Sequence, residues 1–139
     1  MSRVWFTDRD LGKRFPDTLT AAGLTVERHQ GLFPQDGSDE QWLEHCGRNG
    51  RIALTHNERI RYTPNQLAAV MEHRVALLIV IGKVPHADLA RNFVNTLPKI
   101  EAFLDDHEPA YIAKIYRPPA LELARDPDAK GSISLWYPK

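Results

Sequence analysis

The chain has 139 residues, enough for one domain with a substantial core and too few for two ordinary ones. Eighteen Lys and Arg balance eighteen Asp and Glu, which excludes a protein that grips nucleic acid or an anionic membrane through its overall field. Apolar residues at 42% exclude a disordered chain, and a single cysteine, Cys46, excludes a disulfide framework or a thiolate zinc site. The opening MSRVWFTDRD has no long apolar stretch of the kind a signal peptide needs. The longest apolar run, at 75–81, is far short of a membrane span, so the sequence predicts a cytoplasmic protein without a membrane partner.

Residues 3–7 (RVWFT) read as a first strand ending in Asp8-Arg9-Asp10. Leu11, Phe15, Leu19 and Ala22 then recur at helical spacing up to Gly23. Residues 24–28 read as a second strand, and 29–37, with two glycines and Pro34, as a loop. Ser38-Asp39-Glu40-Gln41 has the form of a capping box that opens a helix with Trp42, Leu43 and Cys46 on one side. Residues 51–55 (RIALT) are a third strand, followed by His56-Asn57, and Thr63-Pro64 starts the next helix.

The uncharged, non-alternating run 75–81 (VALLIVI) predicts a central parallel strand covered on both faces. A long helical pattern follows Pro85, with Pro98 expected to kink or divide it. Residues 111–116 (YIAKIY), more polar, are expected at a sheet edge. Residues 118–139 form a Pro-rich tail without helical period, in which 132–137 (SISLWY) either pairs as a strand or docks on a partner through Trp136. The alternation of strands and helices predicts an α/β fold, a mainly parallel five-stranded sheet between helical layers, with function gathered beyond the carboxyl ends of the strands.

Polar clusters occupy three such ends: Asp8 and Asp10 after the first strand, Asp39 and Glu40 in the first turn of a helix, and Thr55-His56-Asn57 after the third strand. Converging carboxylates repel one another unless a cation lies among them, and Mg²⁺ or Mn²⁺ prefers such oxygen donors. Plain readings stand beside this one. Acids in a first helical turn answer the helix dipole, and Asp10 suits an N-cap. Cys46 and most aromatic residues fit the core, and the six histidines show no metal-binding spacing.

The segments FTDRDLGKRFPDTL, FPQDGSDEQWLEHCGRNGRIALTHNERIRY and ALLIVIGK, in that order, resemble the PIN-like domain proteins, and within them the VapC-like ribonuclease toxins of toxin–antitoxin pairs. The resemblance runs from about residue 3 to 117, within an expected domain of 1–117, and leaves the tail outside it. It implies a three-layer PIN-like domain acting as a Mg²⁺- or Mn²⁺-dependent endoribonuclease on RNA, with a cognate antitoxin as partner; homo-oligomerisation is left open. By position, Asp8 is the first-strand acid and Glu40 or Asp39 the helix acid, with Asp10, Thr55 and His56 in support. Asn57 stands where the family usually has a third acid; it keeps an oxygen donor but loses the charge, so metal binding and cleavage should be weaker. Arg9, Lys13, Arg14, Arg59, Arg61, Lys83 and His86 are the candidates for holding RNA phosphates.

Two other readings fit parts of the sequence. A strand followed by DxD is similar to haloacid-dehalogenase-like phosphatases, although no acidic pair follows Lys83. Acids after the first strand, Asn57 after the third and Lys83 after a later one are similar to a response-regulator receiver that lacks its phosphorylated Asp, which would make the chain a non-catalytic binding module.

Overall fold

The computed structural model describes residues 3–139. Its strands are β1 (Val4–Thr7), β2 (Thr25–Arg28), β3 (Ile52–Thr55), β4 (Ala76–Val80), β5 (Tyr111–Tyr116) and β6 (Ser132–Tyr137). They form one sheet in the order β2-β1-β3-β4-β5-β6, parallel except for β6, which runs antiparallel to β5. The helices are α1 (Arg14–Ala21), α2 (His29–Leu32), α3 (Asp39–Asn49), α4 (Pro64–Glu72), α5 (His86–Asp106) and α6 (Ala120–Arg125).

Parallel neighbours need crossovers, and the crossover helices bury their apolar stripes on the sheet. On one face α1 and α5 set Phe15, Leu19, Leu89, Phe93 and Ile100 against Trp5, Leu54, Leu78 and Val80. On the other, α3 and α4 set Trp42, Leu43, Cys46 and Val70 against Phe6, Ala53, Leu77 and Ile79. β4 therefore feeds alternate residues to two cores, which is why its sequence does not alternate. Each fully buried Leu or Ile there contributes roughly 1.5–3 kcal/mol. Helices α3 and α4 approach closely at Gly47, where a Cβ would lie 2.1 Å from the His73 carbonyl oxygen.

The α/β architecture agrees with the expected fold class, with one correction: six strands, not five. Residues 132–137 pair with β5, so YIAKIY lies inside the sheet rather than at its edge. The tail also contains α6, too short at six residues to show a period. Helix α5 runs unbroken through Pro98, an exposed position where the missing N–H falls on the solvent side. The stretch read as a loop contains the single turn α2. Ser38 occupies the N-cap of α3 without a side-chain cap bond, and the amide oxygen of Gln41 lies beside Gly37, so the expected capping box does not form.

From β1 the chain winds outward to β2, then crosses back to pair β3 on the other side of β1. Crossovers leaving in opposite directions part above the carboxyl ends of β1 and β3, and that opening is where side chains from several elements can meet. No described helix is long and apolar enough to cross a membrane.

Candidate active site

Asp8 follows β1 directly, and its N–H donates to the Leu54 carbonyl of β3 at 2.9 Å. This bond ties the carboxylate to the switch point, where it is 7% exposed. Its Oδ1 accepts the Arg9 N–H at 2.7 Å, capping the turn Arg9–Leu11. Its Oδ2 accepts the Thr55 hydroxyl at 2.8 Å. That hydroxyl also lies 3.2 Å from Asp10, and it accepts the Asn57 N–H at 3.2 Å. A hydroxyl has one proton to give, so the two carboxylates share a single neutral donor. Asp10 is exposed as a residue, yet its carboxylate turns inward and accepts the His56 N–H at 3.1 Å.

Burial pushes the Asp8 pKa up to about 7, and the charge of Asp10 adds to the rise; the Thr55 bond opposes it and Asp39 reinforces it. Desolvation also raises Asp10, against the stabilising His56 N–H and Thr55 hydroxyl. Two carboxylates held this close cannot both ionise cheaply.

These groups open into a cavity of about 410 Å³ lined by Asp8, Arg9, Asp10, Asp39, Asn57 and Arg59. Asp39, in the first turn of α3, is held by two donors, Trp42 Nε1 and Gln66 Nε2, both at 3.0 Å. Its neighbour Glu40 is half-buried and does not line the cavity. Asn57 reaches the cavity while its Oδ1 caps the turn Glu58–Tyr62 by accepting the Arg59 N–H at 3.0 Å. His56 bonds the Val80 carbonyl through Nδ1 at 2.7 Å; a carbonyl can only accept, so that nitrogen carries the proton.

Of the basic candidates, Arg9 and Arg59 stand on the cavity wall. Lys13, Arg14 and Lys83 are exposed and line none of it. His86 is near but not inside: it abuts Gly12, whose φ of +67° suits glycine and where a Cβ would come within 2.7 Å of the imidazole Nδ1. Arg61 turns away from the acids and lies 4.3 Å from the Tyr137 ring centre.

Two supporting residues, Trp42 and Gln66, carry no signal of their role in the sequence, because that role depends on α3 meeting α4. His29, the first residue of α2, is also buried, with its Nδ1 unpartnered. Desolvation and then Arg9 lower the pKa of His29. Cys46 is buried and its thiol pKa is pushed up by desolvation, so it is no nucleophile.

Among the described residues no group of three or more His, Cys, Asp or Glu side chains is arranged to hold a metal ion. The acid pair alone still fits a hard cation. Mg²⁺ is commonly bound through one or two carboxylates, completing its shell with water and substrate phosphate, and a dication would offset the burial and the Asp10 charge that together raise Asp8.

A family model described as a PIN like domain matches residues 4–82, which include every residue lining the acid cavity. No curated protein and no solved structure significantly matches the chain. The match spans more than half of the sequence, and the chain belongs to the PIN-like domain family.

Proposed function

We propose that the chain is a metal-dependent endoribonuclease, acting as the toxin of a toxin–antitoxin pair. The observation that carries this reading is the Asp8–Asp10 pair, half-desolvated and sharing one hydroxyl at the topological switch point. Asp8 and Asp10 would hold Mg²⁺ or Mn²⁺, with Asp39 and Asn57 across the cavity; such an ion, when bound, supplies charge neutralisation and a more acidic water. Arg9 and Arg59 then offer guanidinium groups to phosphate oxygens and to charge that develops during cleavage. The His56 backbone N–H holds the Asp10 carboxylate, and its ring is anchored by the Val80 carbonyl. An antitoxin would silence the cavity by placing a basic group against the acids.

The test is cleavage of single-stranded RNA with Mn²⁺ and with EDTA. Activity is expected only with the metal. Asn57→Asp keeps the cap on Arg59 and adds a third carboxylate, so Mn²⁺ affinity is expected to rise roughly ten-fold, with faster cleavage, because ligand charge tunes affinity. Equal Mn²⁺ affinity and equal cleavage in the two forms would sink this account of Asn57.

One observation favours a second reading. The strand order 2-1-3-4-5 of the parallel part is the order of flavodoxin-like folds, which suits a receiver-like binding module. Here β3 ends in Thr55 rather than a carboxylate. A module of this kind would bind without cleaving RNA and take no phosphate from acetyl phosphate; labelling at Asp8 would point to the phosphatase class instead.

A further inference from the structure

A second cavity, of about 180 Å³, shares no lining residue with the acid cavity and lies wholly outside the matched segment 4–82. One wall is a face of α5, with Asp88, Arg91, Asn92 and Asn95 at helical spacing, and another is Arg117, the residue after β5. The tail closes it with Leu123 of α6 and with Pro127. That part of the tail is pinned to α5: Arg91 pairs with Asp128 at 2.7 Å, and the Gly131 N–H donates to the buried Thr96 hydroxyl at 2.9 Å.

Arg117 is the anomaly of this wall. Among the described residues five arginines are half-buried; Arg3, Arg28 and Arg51 pair with carboxylates, and Arg61 lies over the Tyr137 ring. Arg117 has no such partner, and its buried Nε finds no acceptor. Its place is nonetheless fixed. Pro118 and Pro119 stiffen the backbone that follows it, and its stem crosses Gly82, where a Cβ would lie 3.2 Å from the Arg117 Cδ.

A fixed guanidinium without counter-charge suits an oxyanion, which its planar fork grips through two oxygens. Arg91 gives one nitrogen to Asp128 and keeps the others. The cavity is smaller than the roughly 300–1,000 Å³ of pockets for larger ligands, so it admits an ion and not a nucleotide. Asp88 narrows the choice. A carboxylate can only accept, so the ion must bring a proton of its own. Near neutral pH orthophosphate always keeps a P–OH, and sulfate has none.

We propose that the cavity between α5 and the tail is a binding site for orthophosphate, with Arg117 and Arg91 donating to its oxygens and Asp88 accepting its remaining proton. The site goes beyond the ribonuclease reading and does not depend on it.

The experiment is equilibrium dialysis of radiolabelled orthophosphate at neutral pH, with EDTA present and chloride holding the ionic strength. The wild-type chain is compared with Arg117→Gln, Asp88→Asn and Arg59→Gln. Saturable binding is expected, weakened about ten-fold or more in Arg117→Gln, as for loss of a charged hydrogen-bond partner, and unchanged in Arg59→Gln. Unlabelled sulfate should displace the label from the wild-type chain about ten-fold less well than unlabelled phosphate does. From Asp88→Asn the two ions should displace it alike, because an amide can donate to an ion that has no proton. Asp88 is exposed, so that arm stands even if Arg117→Gln fails to fold. No binding at millimolar phosphate overturns the site, and so does sulfate that competes with the wild-type chain as well as phosphate. Binding lost in Arg59→Gln and kept in Arg117→Gln overturns it too, and places the ion at the acid cavity.

Discussion

Replacing Asp8 with Asn is expected to make the protein more stable at pH 8 by roughly 1–3 kcal/mol while lowering RNA cleavage on the order of a hundred-fold or more. The stability gain follows from the direction of the pKa shift. The Asp8 carboxyl stands at about 7 in the folded chain against an ordinary 3.8, so the folded state holds this proton more tightly than the unfolded chain does. Stability is therefore highest below pH 4 as far as this group is concerned, and falls as the pH rises through the window from 3.8 to about 7.

An Asn side chain keeps both local bonds. Its oxygen still accepts the Arg9 N–H, and its amide donates to the Thr55 oxygen, freeing the Thr55 proton for Asp10. The repulsion disappears and the geometry stays. Urea unfolding at pH 8 and at pH 5 is the measurement: the advantage of Asp8→Asn should shrink on acidification. In the wild-type chain Mn²⁺ should raise the unfolding midpoint at pH 8, and it should do so far less in the variant. A variant less stable than wild type at pH 8 would mean that the acid pair is not under strain.

Gly47→Ala is the second large effect, and two opposing terms decide its sign. Inside α3 an Ala should gain up to about 1 kcal/mol over Gly from helix propensity alone. Against this, its Cβ would stand 2.1 Å from the His73 carbonyl oxygen and 2.8 Å from the carbonyl carbon, both backbone atoms that cannot swing aside. Overpacking of this kind costs about 1–3 kcal/mol and occasionally more, so the clash wins and the variant should be destabilised. The separation of α3 from α4 would also stretch the bond from Gln66 to Asp39, which spans the same two helices. Urea unfolding reads the first effect and Mn²⁺ titration the second. A variant more stable than the wild type would show that the two helices part without cost.

Where one local signal dominates, the sequence already reveals the structure. The uncharged run at 75–81 implies a strand covered on both faces, and β4 is the strand that feeds both cores. Asp8 directly follows β1 and Thr55 ends β3, close enough for their meeting to be foreseen from the α/β pattern. The choice between Asp39 and Glu40 was out of reach, because it depends on the rotation of α3 that Trp42 and Gln66 set. Asn57 similarly combines two roles in one residue, a cap for the next turn and a cavity wall, and residue type alone does not separate them. Pro98 and the strand at 132–137 show the same limit from the other side: propensity argued against a continuous helix and left the strand as one of two alternatives, and tertiary packing decided both.

The reversed direction of β6 determines where the chain ends emerge. Val4 opens β1, and Tyr137 lies opposite Ile112 near the start of β5, so both sit at the amino pole of the parallel strands. The acid cavity occupies the other pole. Had the last strand been parallel, its end would have come out beside the cavity. As built, β6 carries the chain away from the acids, and a surface tether attached after residue 139 would leave the cavity facing solution.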